Sequence, residues 1–499
     1  MNTCFVRFIC RSFRKQKRLI LPRLCHFCNS HTFANLFHDM TFFKTYFSGY
    51  HKQGGIKELL IIAFPMIISM ACDGIMTFTD RLFLARISSV QMNAAMGGGV
   101  SIQMLMFFFI GLTGYSTALV AQYMGAGEKP NSSKTLFQAV LIVIIAWPVI
   151  LFLKPYTIMF LEYMHIPSEQ MHFQIKYMNV LAWGTLFALM RHTISCYFSG
   201  IGKTPIIMIA TIVAMLVNII LDYILIYGKL GFAPMGIEGA ALATNIGSIC
   251  AMVILIFAYF NSQNRQEFAI LKSFRFDRTI MKKLLYYGYP AGLEMLLNFM
   301  AFSTMVAVFQ SQGNVISTAT TIMFNWDLMS FIPLIGIEIA VTSLVGRYMG
   351  GGRPQVAHRA AFSGVKVGFF YSVAVLLSFL LIPNALVMLF HPESPSDIFD
   401  AAVPIAVNMI RIAAIYVLAE SLLVAYVGAL RGAGDTHFTM IASVLAHWMF
   451  VPLLYVAFNV FHLSAEMGWC LLVLFFMLFC GTIVLRFNSG KWKKLNILG

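Results

Sequence analysis

Apolar runs of about 20 residues recur along most of this 499-residue chain, and no other feature narrows its fold so far. Hydrocarbon offers no water to a backbone N–H or C=O, so a crossing segment must bond within itself as a helix or within a closed barrel. The runs here are continuous and lack the period-two alternation of short barrel strands, so the crossing elements are helices. They fall at about 58–81, 96–122, 132–153, 174–199, 204–227, 237–260, 283–311, 315–346, 361–383, 404–430, 437–458 and 466–486, which makes twelve.

With 59% hydrophobic and 11% charged residues, the chain has far more apolar surface than a water-soluble core of this length would use. Its formal charge of +15 is distributed unevenly. With both termini cytoplasmic, the inner segments collect Lys57, Lys129, Lys134, Lys203, the connection from Arg265 to Lys283, Arg347, Arg353, Arg359, Arg431 and the tail from Lys491 to Lys494. The outer segments hold Arg81, Arg86, Lys154 and Lys229, an asymmetry that sets the orientation by the positive-inside rule. Residues 1–55 form a basic leader that reads as an anionic-lipid-binding tail, a targeting extension, or sequence upstream of a true start at Met40. Its Cys25 and Cys28 make a lone CxxC without a second ligand pair. Cys72, Cys196, Cys250, Cys470 and Cys480 are scattered through apolar runs as small buried hydrophobes, so no disulfide framework is expected.

Two stretches repeat. "LVAQYMGAGEK" at 119–129 recurs as "LVGRYMGGGRP" 225 residues later, and the same offset carries Pro65 to Pro290. "SGIGKT" at 199–204 recurs as "RGAGDT" at 431–436. Six spans per half is an even number, so the halves share one orientation and are related by a pseudo-two-fold axis along the membrane normal. The expected fold is an all-α integral membrane protein of two six-helix lobes, at 56–260 and 283–487. A cytoplasmic linker at 261–282 joins them, and a basic tail covers 488–499.

Ionisable groups inside spans are rare because insertion of one costs roughly 2.5–3.5 kcal/mol. Asp80 lies near the outer end of the first span. Asn218 and Asp222 lie one turn apart on one face of the fifth, and Thr244 adds a hydroxyl from the next helix. Two acids, an amide and a hydroxyl suit a proton or a small cation such as sodium, and the cluster is expected to bind the coupling ion; no other metal and no cofactor is expected. Pro65 interrupts the backbone ladder of the same span and Gly74 loosens it, so this helix is the candidate hinge. Asp73, seven residues before Asp80 and on roughly the same face, either extends the cluster inward or serves as a capped helix-packing carboxyl. In the second half Glu294, Asp327 and Glu420 fall at similar depth near the midplane. With Asn298 they make up the candidate substrate cavity, the acids as contacts for a cationic cargo or a second ion, with pairing to a buried base such as Lys366 or Arg411 as the alternative.

In order and placement, "FTDRLFLAR", "LVAQYMGAGE", "SGIGKTP", "LVNIILDYILIYG", "GIEGAALAT", "YGYPAGLE", "PLIGIEIAVTSLVGRYMGGG" and "GALRGAGDT" resemble the multidrug and toxic compound extrusion (MATE) family, over about residues 56–487. The resemblance implies two lobes around a central cleft and export of organic cations or other amphipathic compounds in exchange for sodium ions or protons. By position it assigns Asp80, Asn218, Asp222 and Thr244 to the coupling-ion cluster and Glu420 to an acidic position of the second lobe. Asn298 stands where many members carry a glutamate, and here the acid is Glu294.

The implied protein is a monomeric antiporter among membrane lipids, in a bacterial inner membrane, with a small-molecule substrate and no nucleic-acid partner. The nearest rival is a flippase for lipid-linked precursors, whose cleft would be rich in arginine to meet phosphates. An integral-membrane enzyme is disfavoured because neither HxxxH nor HExxH spacing appears, and direct ATP drive because no Walker-type segment does.

Overall fold

The computed structural model describes residues 49–163, 167–391 and 397–498; the leader, with its CxxC and Met40, lies outside the described residues apart from its last few positions, and so does most of the acidic outer loop after His391. Residues from His51 to the end form one compact unit. Its first half holds α1 (Ile56–Ala85), α2 (Ser89–Gly114), α3 (Ser116–Gly125), α4 (Lys129–Tyr163), α5 (Ser168–Gly200), α6 (Thr204–Tyr227), α7 (Ile237–Tyr259) and the short α8 (Ser262–Glu267). The second half holds α9 (Arg278–Gln310), α10 (Asn314–Gly350), α11 (Pro354–Leu381), the short α12 (Pro383–Met388), α13 (Asp397–Ala433), α14 (Thr436–Asn459) and α15 (Ala465–Asn488). The helices outrun the apolar runs by several residues because polar turns continue them beyond the hydrocarbon.

Counting α2 and α3 as one path, eleven of these helices are long and apolar enough to cross a membrane. The twelfth expected span, α5, is just as long but carries Glu169, His172, Lys176, Arg191 and His192. It pays for that polarity by packing inside the first half, against α2, α4 and α7. Local signals end the elements where the sequence places them. Asp277 Oδ1 caps α9 by accepting from the N–H groups of Thr279 and Ile280, and Gly228 closes α6 in the left-handed conformation.

The sequence repeat is also a packing repeat. A Cβ on Gly125 would run into the Arg347 carbonyl, and one on Gly350 would run into the Gln122 carbonyl. Those two pairs exchange under the 225-residue offset. Deeper in the membrane Gly111 meets Ala291 and Gly292 in the same way, while its repeat mate Gly336 meets Ile67. A surface that meets its own copy in this fashion is the mark of two-fold pairing. Small residues let the backbones approach, as helix contact in lipid requires. The seam joins α2 to α9, α1 to α10 and α3 to α10.

The lobes close on each other at the Lys- and Arg-rich end of the helices. There the Glu58 carboxylate accepts from the Tyr348 hydroxyl (2.7 Å) and from the Gly54 N–H (2.8 Å), and Ser343 Oγ donates to the Ser199 carbonyl (2.7 Å). The linker is ordered: Lys129 and Lys203 bind Glu267 (3.0 and 3.8 Å) and Tyr197 packs edge-on against Phe268, which fastens it to the first lobe. The basic tail is also folded. Trp492 is fully buried beside Phe487, and Ile497 joins a cluster with Leu112, Tyr115, Tyr123, Ile280 and Leu284.

Candidate functional site

Asp80 on α1, Asn218 and Asp222 on α6 and Thr244 on α7 converge inside the first lobe. All but Thr244 are buried, and Thr244 Oγ1 donates to Asp80 Oδ2 (2.9 Å). Asp222 and Asn218 present their side chains to the same carboxyl. Convergence follows from local rules, because α1 packs along α6 and α6 along α7, and the one-turn spacing of Asn218 and Asp222 puts both on the face toward α1. Asp80 Oδ1, both Asp222 oxygens and both Asn218 amide atoms lie buried without a hydrogen-bond partner. Buried polar atoms are almost always satisfied, so these five atoms stand out within the first lobe. Among the described residues no three His, Cys, Asp or Glu side chains gather as a metal set. Two carboxylates with an amide and a hydroxyl form a hard-oxygen environment of low charge.

Tyr177 of α5, also buried, stands close enough to Asp80 and Asp222 to feel both charges. Sequence reasoning missed it, since a tyrosine in an apolar run gives no periodic or charge signal.

Pro65 lies inside a continuous α1. The carbonyl that it deprives of a helical partner, that of Ile61, accepts from Thr204 Oγ1 of α6 (3.3 Å). Further along, Thr77 and Thr79 bond back to the carbonyls of Asp73 and Ile75 (3.1 and 2.9 Å), a pattern that favours bending. A Cβ on Gly74 would make ordinary contact with Ile332 of α10 at 3.8 Å, so the position has room for a methyl group.

In the second lobe the three midplane acids separate into two groups. The Asp327 carboxylate accepts from the Tyr416 hydroxyl and interacts with Glu420, whose Oε2 is buried without a hydrogen-bond partner. Glu294 instead pairs with Arg431 (3.1 Å), and the same guanidinium binds Glu338. A half-buried base does hold Glu294, but it is Arg431, which the sequence places at the inner end of its span; the long side chain reaches inward from there. Asn298 donates from Nδ2 to Ser443 Oγ (2.7 Å). Asp73 does not join the Asp80 cluster and pairs with Arg191 of α5 (3.0 Å).

A family model for MatE matches residues 65–224 and again 290–456, the two matches beginning at the repeat-related prolines. The chain is 28% identical over 452 residues to "Probable multidrug resistance protein NorM" of Thermotoga maritima, covering 89% of this chain and 94% of that one. It is 26% identical over 409 residues to the protein of the same name in Pasteurella multocida, covering 81% and 86%. A solved outward-facing multidrug resistance MATE family transporter of the MOP superfamily superposes with a TM-score of 0.80 at 20% identity, over 88% of this chain and 97% of that one. The likeness confirms the two-lobe fold. With both halves matched by one family model and the fold shared with solved members, this multi-pass membrane protein belongs to the MatE family, which comprises transporters rather than enzymes.

Proposed function

We propose that the protein is a cation-coupled antiporter that exports organic cations, drugs or other amphipathic compounds by alternating access of the cleft between its lobes. The relatives' names support multidrug efflux as the activity. The observation that carries the coupling is the set of buried, unbonded atoms on Asp80, Asn218 and Asp222, with Thr244 already turned to Asp80. Two carboxylates facing each other away from water repel strongly, so the cluster holds a proton or a sodium ion in one half of the cycle and surrenders it in the other. The closed, basic end is the cytoplasmic one by charge asymmetry, so the ion would be taken up from the opposite, outer end. Neutralising the cluster removes the repulsion between α1 and α6 and lets α1 change its bend between Pro65 and Asp80, the stretch loosened by Gly74 and the two back-bonded threonines. The protein acts as a monomer in a bacterial inner membrane, with both termini in the cytoplasm.

Efflux of a fluorescent organic cation from proteoliposomes, driven first by a sodium gradient and then by a pH gradient, identifies the coupling ion. Asp80→Asn should reduce gradient-driven efflux to the level of empty vesicles while the protein still elutes as a folded species. Normal coupled transport by that variant excludes the mechanism.

A further inference from the structure

We propose that a groove along the first turns of α9 binds one anionic phospholipid, Arg278 and Lys282 holding its phosphate and the residues deeper in the membrane lying along its acyl chains. This goes beyond the transport reading and does not depend on it. The groove has a volume of about 460 Å³ and is lined by Arg278, Met281, Lys282, Leu285, Tyr286 and Tyr289. These residues recur every three or four positions, so they form one stripe down a single helix face. At 1.5 Å per residue the stripe runs about 16 Å, from two cations just before the apolar run to two tyrosines inside it. A phospholipid changes from charged to apolar in the same direction.

The two cations are uncommitted. Between residues 272 and 283 the chain carries Lys272, Arg275, Arg278, Lys282 and Lys283 against Asp277 alone. That acid is already engaged, its Oδ1 accepting from the N–H groups of Thr279 and Ile280 and its Oδ2 lying 3.7 Å from Lys134. Lys283 is engaged too, with the Leu498 carbonyl (2.7 Å). The side chains of Arg278 and Lys282 meet no hydrogen-bond or ion-pair partner among the described residues. One turn apart on one face, they can hold a phosphate between them, Arg278 with its fork and Lys282 as a point charge.

The stripe faces the membrane. On the opposite face of the same turns Ile280 and Leu284 are buried and Tyr287 stacks on Tyr115 (5.7 Å), so the packed side of α9 lies away from the groove. One flank is closed by α2, where a Cβ on Gly288 would strike the Leu112 carbonyl. On the other flank His437 of α14 bonds the Tyr289 hydroxyl through Nε2 (3.1 Å) and lies 4.8 Å from the Tyr286 ring. Between these flanks Leu285, Tyr286 and Tyr289 keep 43%, 54% and 39% of their exposure. Charge complementarity selects the occupant. The chain's own leader, basic with Asp39 as its one acid before residue 49, would be repelled, and a second copy would set the same cations against themselves. An anionic lipid brings a phosphate to this depth and an acyl chain beneath it.

The test places the full-length protein in phosphatidylcholine nanodiscs with a trace of photoreactive lipid, its diazirine near the glycerol end of one acyl chain and its headgroup either phosphatidylglycerol or phosphatidylcholine. Mass spectrometry of the crosslinked peptides should find residues 281–289 labelled about thirtyfold more by the phosphatidylglycerol probe, the product of about fivefold for each cation. Arg278→Gln/Lys282→Gln should bring that ratio close to one. Arg265→Gln/Lys272→Gln removes the same charge from the same end and should leave the ratio unchanged. Equal labelling by the two probes in the wild type, which depends on no substitution, overturns the proposal, and so does an equal fall in the two double variants. Displacement of the phosphatidylglycerol label by excess inorganic phosphate would make the groove a site for free anions and overturn it as well.

Discussion

Single residues divide the two lobes chemically. The first lobe gathers its unbonded acids around Asn218 and Thr244, whereas the second ties Glu294 and Glu338 to Arg431 and leaves Asp327 and Glu420 beside Tyr416. A charge already held by a guanidinium has little attraction left for a cation, so of these second-lobe acids Glu420 and Asp327 are the ones that the proposed export of a cation would use. Glu420→Gln should raise the KM for a monocationic dye severalfold, with a smaller effect on maximal rate, in the same vesicle assay. Unchanged kinetics would remove Glu420 from the cargo path. The first-lobe cluster was legible in the sequence because carboxylates in an apolar run have one physical explanation, burial with neutralisation, and because a one-turn spacing fixes a shared face. The Arg431 and Arg191 pairs were not legible in that way. Arg431, near the inner end of its span, reads as an interfacial anchor, and for both arginines which of several acids the long side chain reaches depends on helix tilt, to which periodicity is blind.

At the scale of elements, α1 carries both Asp80, the proposed ion-binding carboxylate, and the features that soften the helix. Pro65 breaks its ladder, Thr204 on α6 takes up the freed carbonyl, and two threonines bond backward just before Asp80. Gly74 sits between these two soft points with space for a methyl group. Gly74→Ala should therefore fit, stiffen the helix by an amount of order 1 kcal/mol, and raise the thermal midpoint of the detergent-solubilised protein. If α1 must bend for each turnover, the same change should slow efflux severalfold at saturating cargo; a stabilised variant with unimpaired turnover would show that the bend lies elsewhere. The sequence placed all twelve long helices, since apolar length is set by bilayer thickness and is written directly in the chain. It blurred their ends, because the turns outside hydrocarbon are polar and continue the helix without an apolar signal, as in Lys129–Tyr163 against an apolar core of 132–153.

For the whole molecule, the two halves meet along a seam that is its own copy, so the closed end is a two-fold contact whose strength comes from close backbone approach at Gly125 and Gly350. The proposed alternating access requires that contact to open. The C-terminal segment lies across it: Ile497 packs among α2, α3 and α4 of the first lobe and α9 of the second, and the Lys283 ammonium donates to the Leu498 carbonyl (2.7 Å). Trp492, stacked 5.0 Å from Phe487, anchors the segment to the second lobe. A peptide fixed to one lobe and buried against both adds apolar contact in the closed state that is lost when the lobes part. Removing residues 491–499 should therefore shift the equilibrium toward opening at this end. With nitroxide labels at Ala126 and Gln355, on a background free of the native cysteines, double electron–electron resonance should register more of a longer distance in the truncated protein than in the full chain. Identical distance distributions would mean that the tail rides passively on the second lobe and that the glycine seam alone holds the end shut.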